Sequence, residues 1–145
     1  MYESSMIIGE RTSDFDSPRV FERANPGTKE IVNRAVGASE KEAIAACETA
    51  AEAFKEWSQT GPGRRRELLL KAEEAMKARV PDIIAAMDAE LGASAPWSGF
   101  NVHLAEGLIR EAAALTTMIT GQTIPSDIPG LKATTTRRPC GVILS

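Results

Sequence analysis

The chain has 145 residues, with 17 Lys and Arg against 20 Asp and Glu for a net charge of -3; 43% of its residues are hydrophobic and 26% charged. That balance excludes a disordered tail, and the length allows one ordinary domain with a modest core. Slight acidity gives no electrostatic footprint for nucleic acid or an anionic membrane surface, and no apolar run approaches the ~20 residues that cross a bilayer.

The first 38 residues read as extended structure. Met6, Ile7 and Ile8 form a short apolar run that stops at Gly9. Val20-Phe21-Glu22-Arg23-Ala24 leads into Asn25-Pro26-Gly27, a strong turn signal, because proline presets φ and glycine tolerates a left-handed backbone. Beyond it, residues 30–36 (Glu-Ile-Val-Asn-Arg-Ala-Val) resume as a strand, which completes a hairpin. An isolated hairpin is marginal in water, so another element must pack on it.

At Ser39 the period changes. Ser39-Glu40-Lys41-Glu42 fits a capping box, and Ile44, Cys47, Ala51, Phe54 and Trp57 follow at helical spacing as an expected inward stripe. Gly61-Pro62-Gly63 makes a corner, and a second helix runs from about Arg64 with Leu68, Leu69, Ala72 and Met76 inward. Pro81 marks a break or a new first turn, and Ile83, Ile84, Met87 and Leu91 carry a third helix to Gly92, which is suited to a left-handed cap. After Ala95-Pro96-Trp97, a long helix is expected over roughly 100–120, with Phe100, Leu104, Leu108, Ala112, Leu115 and Ile119 as its buried stripe and Gly121 as its end. Alanine makes up 22 of the 145 residues and lies within these periodic stretches, as in closely packed helices. The tail reads as a loop at 126–130, a polar β-prone run at 133–138, and an apolar strand opening at 142–145 of the kind buried on both faces of a parallel sheet. No other segment looks like the partner of that last strand, so the expectation is that the chain ends as a further domain begins.

Few residues could carry chemistry. The chain has one histidine and two cysteines, too few for a four-ligand structural zinc site or a disulfide framework. No glycine-rich phosphate-binding motif occurs, and the start shows no secretory signal, which points to the cytoplasm. Cys47, mid-helix among alanines, and Cys140, in Arg138-Pro139-Cys140-Gly141, both read as packing residues rather than reactive thiolates. His103 stands without an acid or metal-ligand partner nearby, and Arg64, Arg65 and Arg66 read as a solvated face paired with Glu67, Glu73 and Glu74. Trp97-Ser98-Gly99-Phe100-Asn101 is the most informative stretch. Two large aromatics at a helix entrance either close a core or line an apolar site for a ligand with a ring.

Taken in order, several stretches resemble the N-terminal region of the aldehyde dehydrogenase superfamily. They are Phe21-Glu22-Arg23-Ala24-Asn25-Pro26, Ala53-Phe54-Lys55-Glu56-Trp57-Ser58, Arg65-Arg66-Glu67-Leu68-Leu69-Leu70-Lys71-Ala72, Glu90-Leu91-Gly92, Gly121-Gln122-Thr123-Ile124-Pro125 and Arg138-Pro139-Cys140-Gly141-Val142. Within that superfamily, residues 95–104 and 110–117 are most similar to the salicylaldehyde and related aromatic-aldehyde dehydrogenases. One departure lies in the turn Asn25-Pro26-Gly27-Thr28-Lys29-Glu30, where lysine stands at a position usually held by glycine.

The resemblance implies an α/β fold, incomplete in this chain. Residues 1–38 would be a hairpin arm and 39–121 the helical part of a cofactor-binding domain. Residues 122–145 would hold a loop, a bridging strand and the start of a Rossmann-like parallel sheet. It also implies oxidation of an aldehyde, aromatic and salicylaldehyde-like, to a carboxylic acid with NAD or NADP. The reacting cysteine and most of the cofactor site would lie outside this chain, leaving it inactive alone, with no catalytic, cofactor-binding or metal residue of its own. The helical spacing together with the resemblance assigns Trp97, Phe100 and Leu104 to substrate binding, with Asn101 or His103 available to a polar substituent. The hairpin and residues 133–138 would join copies into a homo-oligomer, with no nucleic-acid or membrane partner. The alternative from the residues alone is a non-catalytic, α-rich interaction module.

Overall fold

The computed structural model describes residues 1–12 and 19–144. In chain order it contains strands β1 (Tyr2–Ser4), β2 (Ile7–Ile8), β3 (Arg11–Thr12), β4 (Val20–Ala24) and β5 (Ile31–Val36). Helices α1 (Glu40–Trp57), α2 (Pro62–Ala78), α3 (Val80–Leu91) and α4 (Ala95–Leu115) follow, then a 3-10 turn (Thr116–Met118) and strands β6 (Thr123–Ile124) and β7 (Ala133–Thr134). The architecture is mixed α/β, as expected.

β4 and β5 form the expected hairpin, with Val20 opposite Val36 and Ala24 opposite Ile31. Asn25 organises its turn. The side-chain oxygen accepts from the Gly27 and Thr28 amides at 2.8 and 3.0 Å, while its backbone N–H donates to the Glu30 carbonyl at 2.9 Å. The left-handed position falls on Lys29, at φ 65, and not on Gly27. A side chain therefore occupies a backbone conformation that glycine adopts without steric cost. The Asn25 amide nitrogen also donates to the carbonyls of Asp88 and Ala89, which ties the hairpin tip to the last turn of α3.

Sequence reading missed β1. This three-residue strand joins β5 in parallel on the side away from β4, giving the order β1-β5-β4. It is held from below by Glu90 of α3, whose carboxylate accepts from the Tyr2 hydroxyl, from Asn33 Nδ2 at 3.0 Å and from Arg23 Nη1 at 2.9 Å. The bond from Tyr2, with support from Asn33 and Arg23, holds Glu90 below the usual carboxylate range. Reciprocally, desolvation and the bond to Glu90 push the Tyr2 phenol up to about 12.

The capping box of α1 is present: the Glu42 amide donates to Ser39 Oγ at 3.4 Å and the Ser39 amide to Glu42 Oε2 at 2.6 Å. The expected inward stripe of α1 is a correction. Ile44, Cys47, Ala51 and Trp57 are exposed and Phe54 only half-buried, because α1 packs only lightly, against β2 and, through Trp57, the Arg65 side chain of α2. Cys47 and Cys140 are both exposed, so the packing role expected for them is also overturned. The second helix starts at Pro62 rather than near Arg64, with proline in the first turn where its missing N–H is no loss. Gly92 takes the left-handed cap of α3 at φ 62, against Pro26; a Cβ there would lie 3.2 Å from the proline ring.

Helix α4 starts at Ala95 and ends at Leu115, five residues early at each end. Its buried face is Ser98, Val102 and Ala113, continued by Thr116 of the 3-10 turn, and this face packs against α2 and α3. Small side chains there let the helices approach closely. Across this interface Glu73 of α2, 4% exposed, accepts from Arg110 Nη2 at 2.5 Å and from Lys77 Nζ at 2.7 Å. These donors hold its carboxyl below the usual range. Glu73 is thus a buried tie between helices rather than part of a solvated arginine face. Arg64 does pair with Glu67 at 2.8 Å, but Arg65 turns back over Trp57, 5.1 Å from the ring centroid, and donates to the Thr60 and Trp57 carbonyls.

The tail forms a short antiparallel ribbon of β6 and β7. Thr135 crosses Gly121 so closely that a Cβ on the glycine would sit inside the Thr135 carbonyl, and the Thr135 amide donates to Gln122 O at 2.8 Å. The expected strand at 133–138 is regular only over Ala133–Thr134. The strand expected at 142–145 is absent over the described residues 142–144. Val142, Ile143 and Leu144 are exposed, Leu144 at 95%, since no described segment offers them a ladder.

Candidate functional site

The first three turns of α4 carry the candidate residues. Gly92 reverses the chain after α3, and the backbone of Ser94 caps the new helix by accepting from Ser98 N–H at 2.9 Å. With the small-residue face of α4 turned toward α2 and α3, the helical period forces the large apolar residues outward. Trp97, Phe100 and Leu104 are 59%, 54% and 48% exposed, and Leu108, Leu115 and Ile119 continue the same stripe. This corrects the expectation that the Phe100–Ile119 stripe is buried. The period was right and the face was wrong, because the core of this chain uses Ser98, Val102 and Ala113 instead.

The three candidates come together. The Trp97 and Phe100 rings stack with centroids 5.7 Å apart and planes inclined by 28°, which makes one broad aromatic ledge. Leu104 lies one helical turn beyond Phe100 and extends that ledge. Asn101 sits beside it, its Nδ2 donating to the Trp97 carbonyl at 2.9 Å. No acidic or basic side chain belongs to the stripe formed by residues 97, 100, 101, 104 and 108. An uncharged aromatic ledge recognises a flat apolar group by stacking and area burial. His103 is exposed and points off the stripe, so the ledge does not include it.

The cavities among the described residues lie elsewhere. A space of about 790 Å³ is lined by Ile8, Gly9, Arg11, Glu42, Ala45 and Thr49, and one of about 390 Å³ lies where Arg65, Thr116, Ile119, Arg138, Pro139 and Cys140 meet. Neither contains Trp97, Phe100 or Leu104, so the ledge is an open face and not a closed pocket within this chain. Among the described residues no group of three or more His, Cys, Asp or Glu side chains could hold a metal ion, and no helix is long and apolar enough to cross a membrane.

Comparison with known proteins shows the family. Residues 13–145 match the aldehyde dehydrogenase family. The chain is 44% identical over 144 residues to a vanillin dehydrogenase of Pseudomonas fluorescens, covering 99% of this chain and 30% of that protein. It is 41% identical over 143 residues to a salicylaldehyde dehydrogenase of Pseudomonas putida, again covering 99% of this chain and 30% of that protein. Among solved structures, a salicylaldehyde dehydrogenase from Pseudomonas putida G7 complexed with salicylaldehyde superposes with a TM-score of 0.84 at 40% identity. That match covers 96% of this chain and 28% of the other. The chain thus spans about 30% of the length of the curated relatives it matches.

Proposed function

Starting from a chain that belongs to the aldehyde dehydrogenase family, we propose that it forms the N-terminal segment of an enzyme that oxidises aromatic aldehydes to carboxylic acids. In this reading Trp97, Phe100 and Leu104 form the wall on which the aldehyde's ring rests. The single observation that carries the reading is the stacked, uncharged ledge on a helix whose opposite face is fully engaged with α2 and α3. A helix packed on one side and aromatic on the other is rigid enough to fix a ring relative to a reacting group. The two aromatic-aldehyde relatives above 40% identity support the substrate class.

NAD(P), the hydride acceptor of such an oxidation, would be held elsewhere in the enzyme. The starts of α2, α3 and α4 carry Pro62, Pro81 and Pro96 in their first turns, which removes a backbone donor that a pyrophosphate would use. The part played by this chain is therefore to seat the ring, exclude water from one side of it and leave the aldehyde carbon facing the reacting groups. In the same reading the enzyme works in the cytoplasm, and the free edges of β4 and of the β6–β7 ribbon are where copies of the enzyme meet.

Trp97→Ala in the full-length enzyme tests the proposal. Losing one face of the stack should lower kcat/KM for benzaldehyde about tenfold, while propanal should change less than twofold. Equal losses with both aldehydes would refute it.

A further inference from the structure

One polar side chain interrupts the apolar stripe of α4. At 100° per residue Asn101 lies about 40° around the helix from Trp97, between it and the small-residue face, while Leu104 and Leu108 lie within about 20° of Trp97. His103 lies about 120° from Trp97, on the other side of Phe100, and so cannot share the ledge with Leu108. An amide is a poor choice for a purely apolar wall, since desolvating it without partners is costly. Its orientation is fixed by chemistry: the atom 2.9 Å from the Trp97 carbonyl must be the donating Nδ2, because two oxygens would repel. That leaves Oδ1 as an acceptor with no hydrogen bond from any described residue, on the same turns of α4 as the stacked Trp97 and Phe100 rings.

We propose that Asn101 is the specificity residue that reads a ring hydroxyl, with its Oδ1 accepting the phenolic proton of a hydroxylated aromatic aldehyde stacked on Trp97 and Phe100. The inference rests on the proposed substrate face and adds to it a preference among rings of the same size. A phenol O–H is a strong donor, and the site offers it an acceptor whose own amide is already tied down, so no side-chain ordering is left to be done when substrate arrives. A neutral bond of this kind discriminates by about threefold to tenfold. An unsubstituted ring would leave Oδ1 desolvated and unpaired, which disfavours it further.

The experiment compares 2-hydroxybenzaldehyde, 4-hydroxybenzaldehyde and benzaldehyde as substrates of the full-length enzyme, with wild-type protein, Asn101→Leu and Asn101→Asp. The expected result is a wild-type preference for one hydroxylated ring over benzaldehyde. Asn101→Leu should lose that preference, dropping kcat/KM for the favoured hydroxylated ring threefold to tenfold and leaving benzaldehyde equal or faster. Asn101→Asp, which keeps an oxygen but loses the N–H that ties the side chain to the Trp97 carbonyl, should also weaken the hydroxyl preference. If Asn101→Leu slows all three aldehydes in proportion, or leaves their ratio unchanged, Asn101 is structural and the inference is overturned. If the wild-type enzyme oxidises none of the three, the aromatic substrate face itself is wrong, a different failure from loss of the hydroxyl preference.

Discussion

Lys29 at φ 65 allows the hairpin turn to be tested with one substitution. A left-handed backbone costs an L-residue about 1–2 kcal/mol, from the crowding of Cβ against the following carbonyl oxygen. Glycine avoids that cost but gives back about 0.5–1 kcal/mol through the extra freedom of the unfolded chain. The Lys29 side chain is exposed and forms no ion pair with a described residue, so nothing else is lost on its removal. Lys29→Gly should therefore stabilise the protein by about 0.5–1 kcal/mol, a rise in melting temperature of about 2–4 °C for a chain of this size. Lys29→Val, β-branched and intolerant of this region, should lower stability by about 1 kcal/mol or more. Urea denaturation followed by circular dichroism reads both, as shifts in midpoint with an unchanged slope. The turn matters to the candidate site because Asn25 links it to the last turn of α3, and Pro26 rests on Gly92 just before α4 begins. A lower midpoint for Lys29→Gly, or no loss for Lys29→Val, would refute the reasoning.

Three other perturbations follow from the packing. Gly121→Ala should cost about 2–3 kcal/mol, because the new methyl group meets the Thr135 carbonyl, and faster amide exchange at Thr135 should accompany the loss. Ser98 is wholly buried and its Oγ has no hydrogen-bond partner among the described residues, so Ser98→Ala should be neutral or stabilising by about 1 kcal/mol in the same urea assay; a clear loss would show that the hydroxyl is paired after all. Glu73 and Glu90 both have folded pKa values below the ordinary carboxylate value of about 4.3, so their stabilisation is fully present above that pH and is lost as pH falls through the folded values. Stability measured from pH 6 down to 3 should fall, and Glu73→Gln should flatten that fall; an unchanged slope would mean that the tie to Arg110 contributes nothing.

Local rules carried far in this sequence. The hairpin, the capping box at Ser39, the new first turn at Pro81 and the Gly92 cap all stand where short-range signals put them, since each depends on a few neighbouring residues, whereas α2 and α4 begin earlier than expected. The collinear motifs were enough to bring out the family, and the clustering of Trp97, Phe100 and Leu104 follows from helical period alone. What α4 buries was decided only in three dimensions. Periodicity identifies an apolar face without saying what covers it, and two apolar faces on one helix compete for the same core. Here Ser98, Val102 and Ala113 win because α2 and α3 approach too closely for Phe100 or Leu104 to fit between them. The same applies to β1, too short to be seen until β5 offered it a ladder and Glu90 an anchor, and to Glu73, whose buried bond to Arg110 joins residues 37 apart in the chain. Contacts among near neighbours set the hairpin and most of the helices; the assignment of inside and outside, and with it the exposed aromatic ledge, came from contacts between residues far apart.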